Sequence, residues 1–197
     1  MKEMRVRLTL LEEILGTASN NPEIHSEFIA SKAPDAKSRE EEIEAIGVDA
    51  EIEKGMTVFP RNAEGQPIMW DYQIKGFMKD ACGMLRKVTD SKSSKIKAYK
   101  KEIDGLIFVQ EREIPFQFDG KIGNCQRPLR AQTAQGERVS LANSETISAG
   151  TTLEFTIECL VDSDMAAVRE WLDYGKLRGL GQWRNSGKGK FQWEEIE

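Results

Sequence analysis

The chain has 197 residues, enough for one large domain or two small ones, and for a sizeable core without disulfides or metal. Apolar residues make up 39%, charged residues 31%, and the net charge is −5, which excludes a uniformly basic nucleic-acid binder and points to a compact fold with solvated insertions. A single histidine, His25, and three cysteines without a Cys-x-x-Cys pair exclude a multi-histidine zinc site and a disulfide frame; with no long apolar run and no signal peptide, the expectation is a cytoplasmic protein that does not enter a membrane.

The charge is unevenly placed. From Pro22 to Pro60 four bases face ten acids, a balance of −6; from Ile74 to Lys101 nine bases face two acids, a balance of +7. Separated acidic and basic faces hold a polyanion on one side, or stack head to tail with copies of the same chain.

Met4-Arg-Val-Arg-Leu-Thr-Leu10 alternates apolar and polar residues and reads as a half-buried strand. Residues 22–72 read as an insertion in a single domain spanning 1–197. Within it, two helical pieces flank Pro34, the second opened by a capping box of Ser38 and Glu41. A short hairpin follows, with Met56–Pro60 and Pro67–Trp70 on either side of a glycine-containing turn. Asp71 is placed to cap the next helix, Gln73 to Val88, whose apolar stripe runs through Ile74, Phe77, Met78, Ala81, Cys82, Leu85 and Val88. A lysine-rich loop from Thr89 to Lys101, read as solubilising, leads into a short helix. Strands follow at Leu106–Val109 and Ile114–Phe118, the second near an edge because of its proline. Arg127–Thr133 and Glu137–Ala142 form a hairpin, and Leu153–Val161 is the longest strand signal. Asp162-Ser-Asp164 opens a helix with its stripe at Met165, Val168, Trp171 and Leu172, and Phe191–Ile196 is the last strand. The order predicts an α+β class: a ferredoxin-like, RRM-like split β-α-β core with a helical acidic insertion after the first strand.

Between the last helix and the last strand lies Gly179-Leu-Gly-Gln-Trp-Arg-Asn-Ser-Gly-Lys-Gly189, with Gly179, Gly181, Gly187 and Gly189 inside eleven residues. Lys176 to Lys190 contains five bases and no acid. Glycines allow positive φ and close approach, and successive N–H groups in such a loop form an anion-binding concavity. A phosphate-bearing chain is the natural partner; a solvated helix-to-strand turn explains the glycines equally well.

Three stretches together resemble the RAMP superfamily, the RRM-like backbone subunits of CRISPR effector complexes. Trp70-Asp-Tyr-Gln-Ile-Lys-Gly-Phe-Met-Lys79 resembles their helix entry, Glu145-Thr-Ile-Ser-Ala-Gly-Thr-Thr-Leu-Glu-Phe-Thr-Ile157 resembles a strand entry, and residues 179–189 resemble their terminal glycine-rich loop. The resemblance implies RNA binding through the sheet-side surface and the glycine loop, with copies stacked into a homo-oligomer or filament, and CRISPR subunits as partners. The chain is shorter than typical members and Tyr72–Gly76 departs from their helix-entry motif, so a stand-alone, phage-encoded member fits as well as a component of an effector complex.

The leading expectation is a protein that binds single-stranded RNA or DNA and is not an enzyme. Lys75, Lys79, Arg127, Arg130, Arg178, Arg184 and Lys188 would hold phosphates, with Gln182 and Asn185 beside them and Trp183 stacking on a base. One alternative is a protein-interaction module that mimics or inhibits a CRISPR complex. Another is a metal-dependent ribonuclease acting through Asp35, the nearest candidate for the aspartate of RNA-cleaving members, although metal sites normally need two or more carboxylates. With no phosphate-loop lysine motif and no dinucleotide fingerprint, neither a cofactor nor a resident metal is expected.

Overall fold

The computed structural model describes residues 1–20, 55–133 and 136–197, with backbone alone over 129–133 and 136–140. The two acidic helices expected before Gly47, together with Asp35 and His25, lie outside the described residues.

β1 (Lys2–Leu10) supplies the central ladder. Its alternation places Met4, Val6, Leu8 and Leu10 in the core and Arg5 outward. It pairs antiparallel with β10 (Thr152–Cys159) on one side and with β11 (Phe191–Ile196) on the other, and β10 continues to β6 (Ile107–Val109). The strand order β11-β1-β10-β6 is that of the ferredoxin-like fold.

Three helices cover one face of this sheet: α1 (Asp71–Leu85), α2 (Tyr99–Leu106) and α3 (Asp164–Arg178). Most of the stripes read from the sequence are buried, Ile74, Phe77, Met78, Ala81 and Cys82 on α1, and Met165, Val168, Trp171 and Leu172 on α3; Leu85 is partly buried, and Val88, past the end of α1 at Leu85, is exposed. Gly175 on α3 lets the Phe191 ring approach: a Cβ there would lie 2.2 Å from a ring carbon. Phe191 in turn meets Phe77 edge-on at 5.1 Å.

The helix start differs from the expectation. Asp71 does not cap α1; the Gln73 carboxamide oxygen accepts the Trp70 N–H at 2.8 Å, and Asp71 pairs with Arg112 instead. Position N3 thus reaches back to the cap backbone, half of a capping box.

A second sheet is built from the remaining long strands and three short ones. The long hairpin of β8 (Gly123–Thr133) and β9 (Gly136–Ile147) forms its body. The other edge of β9 takes β2 (Ile14–Leu15) and β4 (Thr57–Val58), and β3 (Ala18–Ser19) pairs with β4. The expected hairpin at 56–70 closes only as a turn with an Arg61–Pro67 bridge. Its strands go to different partners, β4 to this second sheet and β5 (Ile68–Trp70) to β7 (Glu113–Pro115).

Candidate nucleic-acid interface

The glycine segment is a closed loop, drawn tight at its ends. α3 stops at Gly179, at φ 74°, a conformation glycine adopts without strain. The Leu180 N–H then donates to the Gly189 carbonyl at 2.8 Å, and the Gly189 N–H donates to the Glu13 carbonyl at 2.9 Å. A Cβ on Gly189 would lie 2.0 Å from the Leu180 carbonyl oxygen, and one on Gly179 would lie 2.6 Å from the Gly189 carbonyl carbon. These two glycines therefore serve the crossing of the chain over itself. A Cβ on Gly181 would lie 3.0 Å from the Ile14 side chain of β2, while one on Gly187 would meet only the Lys190 side chain, at 3.8 Å. Leu180 is buried and fastens the neck of the loop, and the tip, Gln182 to Ser186, is half-buried to exposed.

Trp183 occupies that tip at φ 54°, left-handed backbone for a bulky side chain, and is 40% exposed. The Arg127 guanidinium, from β8, lies 5.1 Å from its ring centroid. Arg127 is itself buried; it donates to Ser144 Oγ and to Gln182 Oε1, both at 3.1 Å. The Gln182 amide closes the chain by donating to the Gly16 carbonyl at 2.6 Å. Hairpin, loop and the segment after β1 are thereby tied through one guanidinium and one carboxamide.

On the helix side, Arg178 Nε and Arg184 Nη1 both donate to Asp80 Oδ2 at 2.8 Å, and Arg178 Nη1 donates to Asn185 Oδ1 at 3.0 Å. The Asp80 carboxylate raises the Arg178 pKa further above its ordinary value. Each guanidinium has five N–H donors, so both retain donors beyond those Asp80 takes. Lys188 pairs with Glu13, an ion pair that raises its pKa.

The residues expected to meet a strand thus divide. Arg127, Arg178, Gln182, Trp183, Arg184 and Asn185 come together around the loop tip. Lys188 turns to Glu13. Lys75 and Lys79 turn to the other side of α1: Lys75 donates to the Asp104 carbonyl at 3.1 Å and lies over the Phe108 ring, and Lys79 pairs with the Asp104 carboxylate at 2.5 Å. Partial burial lowers the Lys75 pKa. The Arg130 side chain lies outside the described residues. Sequence reasoning missed Asp80 and Glu13, the carboxylates that hold the loop's cations; nothing local in the sequence marks either.

Two adjoining recesses flank the tip. One, of about 280 Å³, runs between α1 and the loop past Gln73, Gly76, Phe77 and Arg184. The other, of about 370 Å³, is lined by Arg178 and residues 181–185. Gly181 and Arg184 border both. The open face of the main sheet is different in character. Arg7 pairs there with Glu154 at 2.8 Å and Glu194 at 3.1 Å, Arg5 pairs with Glu154, and Gln110 donates to Glu3 and Glu158. Four carboxylates stand around these two arginines, so their charge is already matched within the sheet face. Among the described residues no group of three or more His, Cys, Asp or Glu side chains is placed to hold a metal ion, and no helix is long and apolar enough to cross a membrane.

The whole chain superposes on a chain in the cryo-EM structure of the type III-B Cmr-beta bound to cognate target RNA, with a TM-score of 0.55 and 13% identity. It spans 60% of that chain's length. It also aligns along its full length with the full length of Cmr4 from a crystal structure, at a TM-score of 0.46 and 12% identity. No protein-family model and no curated protein matches it. The likeness is one of fold.

Proposed function

We propose that the chain is a RAMP-like protein that binds single-stranded nucleic acid, RNA in the first place, across the face formed by the glycine loop, the base of the β8–β9 hairpin and the start of α1. The observation that carries this reading is the half-exposed Trp183 ring, held in left-handed backbone with the Arg127 guanidinium against it and the Arg178 and Arg184 guanidinium groups beside it. Backbone strain at an exposed aromatic calls for a use of that aromatic. A base stacked on the indole and phosphates on the spare arginine donors use all of these groups. The fold shared with a Cmr-beta chain supports the same reading, and makes CRISPR effector subunits and further copies of the chain its proposed protein partners.

The test is binding of labelled single-stranded RNA and DNA of about 30–40 nucleotides, several single-strand sites long, at two salt concentrations. Trp183→Ala and Arg184→Ala/Lys188→Ala variants are measured beside the parent. Tight, salt-sensitive binding that both variants weaken is the expected result. Absence of binding at low salt overturns the reading and moves the function to protein partners.

A further inference from the structure

A second concentration of positive charge lies away from the glycine loop. Between Arg86 and Lys101 seven bases stand against one acid, Asp90. Lys87, Lys92, Lys95, Lys97, Lys100 and Lys101 are all exposed, and among the described residues none of their ammonium groups has a partner. The loop's cations, by contrast, are held by Asp80 and Glu13.

The segment is built rather than loose. The Glu170 carboxylate on α3 accepts the Lys92 N–H at 2.7 Å, the Ser93 N–H at 3.1 Å and the Ser93 hydroxyl at 2.6 Å. Ser93 is fully buried, and its oxygen accepts the Trp171 indole N–H at 2.8 Å. Ser91 and Ser94 bond locally around this anchor. Lysines on so fixed a backbone are displayed in a constant pattern. Fold stability does not explain them: Lys100 and Lys101 sit in the first turn of α2, where the helix dipole opposes positive charge.

The chemistry favours a phosphate backbone over an acidic protein. Lysines are hydrated point charges with no preferred binding geometry, and they are depleted from protein–protein interfaces, whose centres are apolar and aromatic. The aromatic ring of this segment, Tyr99, is already covered by Arg86 at 5.1 Å, and within residues 86–101 Val88 is the one exposed large apolar side chain. Arg86 follows Asp80 by six residues, about 9 Å along the axis of α1 and about 120° around it. The patch therefore lies past the end of α1 and beside the first half of α3, apart from the loop at the other end of α3, within reach of a long strand.

We propose that residues 86–101 form a second, sequence-independent docking surface for the phosphate backbone of the strand whose bases meet the glycine loop. This rests on the single-strand reading above.

The experiment titrates salt for the full chain, a Lys95→Gln/Lys97→Gln/Lys100→Gln/Lys101→Gln variant and Trp183→Ala. The probes are single-stranded RNAs of about eight and about 40 nucleotides, the first within the span of one typical site and the second well beyond it. Every phosphate that is no longer neutralised makes the log–log salt slope shallower by about 0.7. On the longer RNA the lysine variant is expected to show a slope shallower by about 1.5–3, equivalent to about two to four phosphates, and on the shorter RNA to bind like the parent. Trp183→Ala is expected to weaken both with the slope unchanged. An unchanged slope for the lysine variant on the longer RNA overturns the proposal and leaves an acidic protein as the partner of this segment. If Trp183→Ala binds like the parent while the lysine variant has the shallower slope, the patch stands and the loop reading fails. A parent that binds neither RNA at low salt overturns both.

Discussion

The Arg127 guanidinium lies 5.1 Å from the centroid of the Trp183 ring, although 56 residues separate the two along the chain. One residue is buried at the base of a hairpin and the other stands on an exposed loop tip. The pair fixes where the indole stands, and it leaves the ring partly open to solvent.

Trp183 therefore separates stability from binding. Trp183→Gly relieves the left-handed backbone, a strain of about 1–3 kcal/mol, and removes the stacking surface. We expect thermal unfolding at or above the parent's temperature, with affinity for single-stranded RNA reduced by about 5- to 150-fold, the equivalent of about 1–3 kcal/mol of stacking. Calorimetry and fluorescence anisotropy on the same preparation check both halves.

Asp80 is the common acceptor of Arg178 and Arg184. Asp80→Ala leaves two adjacent, part-buried guanidinium groups without it. A loss of about 1–3 kcal/mol is expected, seen as a fall of several degrees in the unfolding temperature. The salt slope of any nucleic-acid binding is expected to steepen, because two cations lose their internal counter-charge.

The four loop glycines are not equivalent. Gly187→Ala, at φ 87° with only the Lys190 side chain at an ordinary contact distance of 3.8 Å, costs only the backbone preference, about 1 kcal/mol. Gly189→Ala adds an overlap with the Leu180 carbonyl oxygen and is expected to cost about 3 kcal/mol or more. Urea midpoints of the two variants, compared with the parent, give the order. Equal losses would show that the neck of the loop is not closed as described.

Cys159 sets an alkaline limit. Burial, and then the nearby carboxylates of Asp164, Asp162 and Glu158, push its thiol from 9.0 up to about 11. The folded state keeps the thiol protonated while the unfolded chain ionises it. The contribution is therefore whole below pH 9 and lost as pH rises through 11. Between pH 8 and pH 11 the parent is expected to lose about 2 kcal/mol more than Cys159→Ala in urea unfolding.

The main sheet was legible because its strands alternate cleanly: Met4 to Leu10 and Leu153 to Cys159 display the buried face directly in the sequence. The stripes of α1 and α3 were legible for the same reason. The start of β8 was not. Gly123 to Gln126 carries no alternation and becomes a strand through its pairing with Asn143 to Thr146. At the site, the glycines, Trp183 and the arginines were visible as residue types, but their carboxylate partners were not. Asp80 and Arg178 stand 98 residues apart, and Glu13 and Lys188 stand 175 apart, so only the fold brings each charge to its counter-charge. The lysines of 86–101 were visible as charge; that Ser93 and Glu170 fix their backbone was not.

The crossing of Leu180 and Gly189 has a consequence for how this surface changes over generations. Because the two ends are clamped to each other and to the Glu13 carbonyl, the helix before the loop and the strand after it meet at a fixed crossing. Within the tip, Gln182, Arg184 and Asn185 are tied to Arg127, Asp80 and Arg178, so a change at any of the three reaches the hairpin or the helices. Trp183 is the tip side chain whose replacement leaves those hydrogen bonds in place, and it is the position at which to look for divergent specificity among descendants of this chain.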